Sequence, residues 1–123
     1  MHEISLAQAV WRQVTAELAD RPGYRLRGLD LVVGAMSGVD PESLEFAMGL
    51  LVGESDWPDA EVRLRTEPLT LVCNACGREF TTDHFDLTCP ACGSRDADPV
   101  RGTDLRLESL ELETDDAAET HPA

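Results

Sequence analysis

The stretch Cys73–Gly93 reads CNACGREFTTDHFDLTCPACG, and the use of its four cysteines decides how the whole chain is built. Cys73, Cys76, Cys89 and Cys92 form two CxxC pairs separated by twelve residues. Each pair places two sulfurs on one ion, and two pairs complete the tetrahedral thiolate shell that zinc prefers. Gly77 and Gly93 follow the pairs, where positive φ lets the chain turn and aim amides at the sulfurs. Two disulfides are the competing reading, disfavoured in a reducing cytoplasm. Iron takes the same ligands in a rubredoxin-like site, so zinc is inferred from the donor set. A shell closed by four protein ligands supports structure and leaves no open position for catalysis. His84, inside the loop, is read as an exposed residue because the thiolates already fill the shell.

On either side of this interval the pattern is that of an ordinary small domain. Leu6, Val10, Trp11, Val14 and Leu18 recur at three- and four-residue intervals over Ile4–Leu18, which predicts an amphipathic helix. It stops at Asp20-Arg21-Pro22-Gly23. Tyr24–Ala35 reads as a central strand, with Leu29, Leu31 and Val33 on one face and Asp30 on the other. A second helix is expected from Pro41, with Asp40 as N-cap, to about Gly53; Leu44, Phe46, Ala47, Met48, Leu50 and Leu51 form its wide buried stripe. Glu61–Leu71 alternates, with Val62, Leu64, Leu69 and Leu71 inward, Arg63, Arg65 and Glu67 toward water, and a break or edge at Pro68. Asp104–Glu113 resumes the strand pattern with a phase slip between Leu107 and Leu110. The cysteine region therefore looks inserted between two strands. This predicts an α+β fold, a small mixed sheet with two helices formed by residues 1–68 and 103–113, plus an inserted zinc-ribbon or rubredoxin-like domain over 69–102. A piece of about 35 residues with so few large apolar groups needs its ion to fold. Residues 114–123 are acidic, small and unpatterned and are expected to be a disordered tail in which His121 is inert.

The chain begins Met1-His2-Glu3. A bulky second residue keeps the initiator Met, so the Met1 amine, the deprotonated His2 amide and the His2 imidazole can close fused chelate rings on one cation, with Glu3 or another amide in the fourth position. Planar, nitrogen-rich donors suit Ni(II) or Cu(II), chemically distinct from the sulfur site downstream. The plain alternative is a helix start with Glu3 complementing the N-terminal dipole.

Composition bounds the rest. All ten basic residues are Arg, against 24 acids, for a formal charge of −14; six acids fall in Glu108–Ala123 without a base, which leaves −8 for the remainder. Such a surface repels nucleic acid, and the cysteine interval itself carries one Arg against Glu79, Asp83 and Asp86. There is no apolar run long enough to span a membrane and no secretory signal, so a cytoplasmic location is expected. No nucleophile–base pair, phosphate loop or open metal position marks an enzyme.

The MHEISL start, Gly34–Phe46 (GAMSGVDPESLEF) and the C-x2-C-x12-C-P-x-C-G pattern together resemble the HypA/HybF family of hydrogenase maturation nickel chaperones, in the family's order, over residues 1 to 113. The resemblance implies a nickel-binding α/β domain with a zinc-ribbon-like domain inserted before its last strand. It makes His2 the essential nickel ligand, with Met1 and Glu3 beside it, and Cys73, Cys76, Cys89 and Cys92 the structural zinc ligands. Asp40 matches an acid near nickel in some members, although its own context reads as a helix cap. Relatives with a histidine after each CxxC couple acidity to metal affinity; Gly77 and Gly93 stand there in this chain. The implied function is delivery of transferable Ni2+, beside structural Zn2+, together with a partner GTPase of the HypB type, to the large-subunit precursor of a [NiFe] hydrogenase. The implied protein is not an enzyme, binds no nucleic acid or membrane, and is a monomer or weak homodimer. A zinc-ribbon protein–protein adaptor without transferable metal is the alternative.

Overall fold

The computed structural model describes residues 2–82 and 86–123. Met1 and His84 lie outside the described residues. Two helices and seven strands follow one another as α1 (Glu3–Ala19), β1 (Arg25–Gly34), α2 (Pro41–Gly53), β2 (Glu61–Glu67), β3 (Leu69–Cys73), β4 (Glu79–Thr82), β5 (Ala97–Arg101), β6 (Leu105–Glu113) and β7 (Ala118–Pro122). The strands form a four-stranded sheet in the order β2-β1-β6-β7 and a three-stranded sheet in the order β4-β3-β5. The chain divides into two compact units. One contains the chain through Val32, Asp40–Arg65 and Arg106–Ala123; the other contains Val33–Val39 and Thr66–Leu105. No helix among the described residues is long and apolar enough to cross a membrane.

In the first unit, α1 and α2 pack together. Ala7, Val10, Val14 and Leu18 bury one stripe of α1, as the sequence period requires. The helix ends where Pro22 cannot continue the ladder and Gly23 turns at φ 88°. Leu44, Ala47, Met48 and Val52 are the buried stripe of α2. Phe46 and Leu50 were expected within that stripe and are instead 70% and 48% exposed. At about 100° per residue they project from the side opposite Leu44 and Met48. Gly53 is the last helical residue, and Ser55 closes the end by donating its amide and hydroxyl to the Val52 carbonyl. Leu26, Leu29, Leu31 and Val32 of β1 and Leu107, Leu110 and Leu112 of β6 complete the core. The burial phase of β6 slips between Leu107 and Leu110, as its sequence does.

The expected disordered tail is an edge strand. Residues 118–122 pair antiparallel with β6, from Glu113↔Ala118 to Ser109↔Pro122. A ladder is made by backbone groups and needs no apolar side chain, which is why composition missed it.

In the second unit β3 is central, antiparallel to both β4 and β5. Pro68 separates β2 from β3 as anticipated. Glu67, expected to face water, is buried. Its carbonyl accepts the Ala35 amide, and the Gly102 carbonyl accepts that of Met36, both at 2.8 Å. Gly102 sits at φ 91°, and a Cβ there would overlap the Pro68 carbonyl oxygen.

Candidate metal centres

The four cysteines converge. Their sulfurs all lie within 4.8 Å of one another. Between the pairs, Cys73 Sγ lies 3.5 Å from Cys92 Sγ and Cys76 Sγ 3.7 Å from Cys89 Sγ. A tetrahedron with metal–sulfur bonds of about 2.3 Å has edges of about 3.8 Å, so the donor set and its spacing fit a zinc-type site. The two knuckles repeat one local geometry. Gly77 donates to the Cys73 carbonyl and Gly93 to the Cys89 carbonyl, both at 2.8 Å and both with φ 78°. Cys73 donates to Arg78 and Cys89 to Ser94, again at 2.8 Å. Each knuckle thus buries its first cysteine and exposes its second. Asn74 braces one knuckle to the segment after the other, donating its amide to the Asp96 carbonyl and its side-chain nitrogen to the carboxylates of Asp96 and Asp98. Nothing in the spacing of the motif pointed to Asn74.

This geometry splits the thiol acidities. The backbone amides of Cys76 and then Ala75 favour a Cys73 thiolate and lower that thiol to about 7, against the cost of burial. Cys89 is lowered in the same way by the amides of Cys92 and Ala91. At Cys92 the Ser94 amide pulls downward, but contacts with the Cys73, Cys89 and Cys76 sulfurs and desolvation outweigh it and push the thiol up to about 12. Four close sulfurs cannot all be anionic without a cation among them, and an arriving dication displaces the remaining protons.

The N-terminal residues occupy a different setting. His2 is exposed at the N-cap of α1, with an extended backbone, and its carbonyl accepts the Ser5 and Leu6 amides. Glu3 is half-buried and reaches α2, where its Oε2 accepts the Asp40 amide at 3.4 Å. Asp40 holds the N-cap position of α2, and its carbonyl accepts the Leu44 amide at 3.0 Å. Its carboxylate does not bond its own helix amides as a side-chain cap would; it accepts the Ser43 hydroxyl at 2.6 Å. Glu3 and Asp40 are therefore brought together through the Asp40 backbone. Ser43 is a contact the sequence reading did not single out, although its place three residues after an N-cap acid was a usable signal. Among the described residues, the side chains of His2, Glu3 and Asp40 do not converge into a cluster as the thiols do.

A two-helix α+β unit joined in one short chain to a paired-knuckle thiolate unit defines a class: small α+β proteins that carry a zinc-ribbon-like module. Within that class the chain belongs to the HypA family. The family model, described as "Hydrogenase/urease nickel incorporation, metallochaperone, hypA", matches residues 1–112. The hydrogenase maturation factor HypA of Prosthecochloris aestuarii is 36% identical over 114 residues, covering 92% of this chain and 100% of that protein. That of Chlorobaculum tepidum is 34% identical over 113 residues, with the same coverage. The fold is shared with the solution structure of the Ni metallochaperone HypA from Helicobacter pylori, at a TM-score of 0.65 and 23% identity over 94% of this chain and all of that one. A second solution structure of a HypA protein superposes with a TM-score of 0.70 at 22% identity, over 94% of this chain and 98% of that one.

Proposed function

We propose that this chain binds Ni(II) at its first residues and hands it, with a partner GTPase of the HypB type, to the large-subunit precursor of a [NiFe] hydrogenase. The Met1 amine, the His2 amide and imidazole, and Glu3 are the nickel donors, with Asp40 beside them; Cys73, Cys76, Cys89 and Cys92 hold structural zinc. The observation that carries this reading is the contact from Glu3 to the Asp40 amide. It anchors the start of α1 at the head of α2 while His2 stays exposed to solvent. Transfer needs donors that an incoming ligand can displace, and a solvent-facing chain start meets that need better than a closed cage. Affinity falls in acid, because the amine, amide and imidazole must all lose protons to bind.

Equilibrium dialysis of untagged protein followed by elemental analysis tests the assignment. Wild type takes up nickel in addition to zinc; His2→Ala loses nickel and keeps zinc, and residues added ahead of Met1 weaken nickel binding. Uptake of zinc alone by the wild type would leave an adaptor role in place of a chaperone. Undiminished nickel binding by the His2 variant would move the site elsewhere.

A further inference from the structure

The C-terminal strand β7 lies beyond residue 112, where the family match ends. It covers the outer edge of β6, which would otherwise present unpaired amides and carbonyls. Its side chains add little apolar contact: Ala118, Glu119 and Thr120 are exposed, and only His121 is half-buried. Polar contacts hold it in place instead. The Tyr24 hydroxyl donates to Glu119 Oε2 at 2.9 Å, and the Tyr24 ring meets His121 edge-on at 6.0 Å. Arg25 Nη1 donates to Asp115 Oδ1 at 3.0 Å in the preceding turn. Arg21 lies near enough to favour the Glu119 carboxylate. Tyr24, Arg21 and Arg25 thus face the acids of residues 115–119, with Arg25 dividing its guanidinium between Asp115 and, through Nη2 at 3.1 Å, Glu113 of β6 itself.

We propose that the outer edge of β6 is a strand-accepting site for an acidic extended segment of a partner protein, and that β7 is its built-in competitor. Backbone pairing along β6 supplies affinity, while Tyr24 and Arg25 select an extended segment with acids at the Asp115 and Glu119 positions. Because β7 is held by a short ladder and exposed polar contacts, it belongs to the part of the fold that opens most easily. The inference is independent of the nickel assignment, since it uses neither metal centre.

The test uses the full chain and a fluorescein-labelled synthetic peptide with the sequence of residues 114–123. Glu119→Pro removes an amide proton at a hydrogen-bonded position of the β6–β7 ladder; Glu119→Ala/His121→Ala, which removes the side-chain contacts to Tyr24 and leaves the β7 backbone intact, is the gentler second variant. Fluorescence anisotropy is expected to show the peptide binding the released chains at least about tenfold more tightly than wild type, as removal of a tethered competitor requires. Within a released chain, Tyr24→Phe and Arg25→Gln should each weaken binding about three- to tenfold. Hydrogen exchange reports whether the β6 amides have opened. Opened β6 amides without a gain in peptide binding would overturn the proposal, as would amides that stay protected in both variants. Doubling of the mass in solution without peptide binding would mean that the edge pairs with a second copy, which also overturns it.

Discussion

Two glycines with crowded surroundings differ in what an added methyl group would meet. A Cβ on Gly102 would strike the Pro68 carbonyl and the Leu69 backbone, at a φ that side chains rarely adopt. At Gly28 it would meet the guanidinium of Arg63, 2.7 Å from Nη2, the far end of a flexible side chain. Gly102→Ala should therefore cost about 1–3 kcal/mol through strain that cannot relax. Gly28→Ala should cost less, with the loss confined to the ion pairs of Arg63. Urea denaturation of both variants checks the ranking, and an equal loss would mean that the backbone around Gly102 yields. At this scale the convergence of the four cysteines was legible, because ligand spacing is a property of the sequence. Burial of Glu67 was not, since alternation along β2 carries no record of chain distant in sequence, such as Ala35, whose amide meets the Glu67 carbonyl.

Among the elements, both helices, β1, β2, β3 and β6 were readable from the spacing of their apolar residues, whereas β5, with Ala97, Asp98, Pro99 and Val100, carries no such pattern and was not. Phe46 and Leu50 differ from the expected stripe because apolar character alone does not fix which side of α2 a residue occupies. The charged side chains between strands are a further feature that periodicity leaves out. Asp30 of β1 accepts from Arg63 of β2 at 2.8 Å and from Ser109 of β6 at 2.7 Å, tying three neighbouring strands through one carboxylate. The Arg63 hydrogen bond, followed by that from Ser109 and the nearby positive charge, holds the Asp30 carboxyl below its ordinary 3.8, although partial burial opposes this. A carboxyl lowered in the folded state stabilises the fold above its unfolded pKa and loses that contribution as pH falls through the folded one. The stability difference between wild type and Asp30→Asn should thus be complete at neutral pH and shrink only below 3.8. Because the pair is partly exposed, its size should be on the order of 1 kcal/mol. Chemical denaturation of both proteins from pH 7 to pH 3 measures it, and a difference independent of pH would assign the effect to packing.

For the molecule as a whole, the two units differ in what holds them. The first buries apolar residues from two helices and two strands; in the second, the buried apolar side chains among the described residues are Val33, Leu69, Leu71, Cys73 and Cys89, two of which are thiols of the four-cysteine cluster. Burial of so few groups does not offset the entropy of ordering that much chain, so an ion at the thiolates becomes part of the folding free energy. Both tryptophans belong to the first unit, where Trp11 and Trp57 lie 6.3 Å apart, and so report on that unit alone. A strong chelator should therefore abolish amide protection in β3, β4 and β5 while leaving tryptophan emission and the protection of α1 and α2 nearly unchanged. Readdition of zinc should restore the lost protection, and acid should mimic the chelator as Cys73 and Cys89 regain protons. Hydrogen exchange with and without chelator resolves the two units in one experiment. Loss of protection in both together would mean that the metal supports the entire chain, and retention in both would mean that the β3–β5 sheet is stable without it.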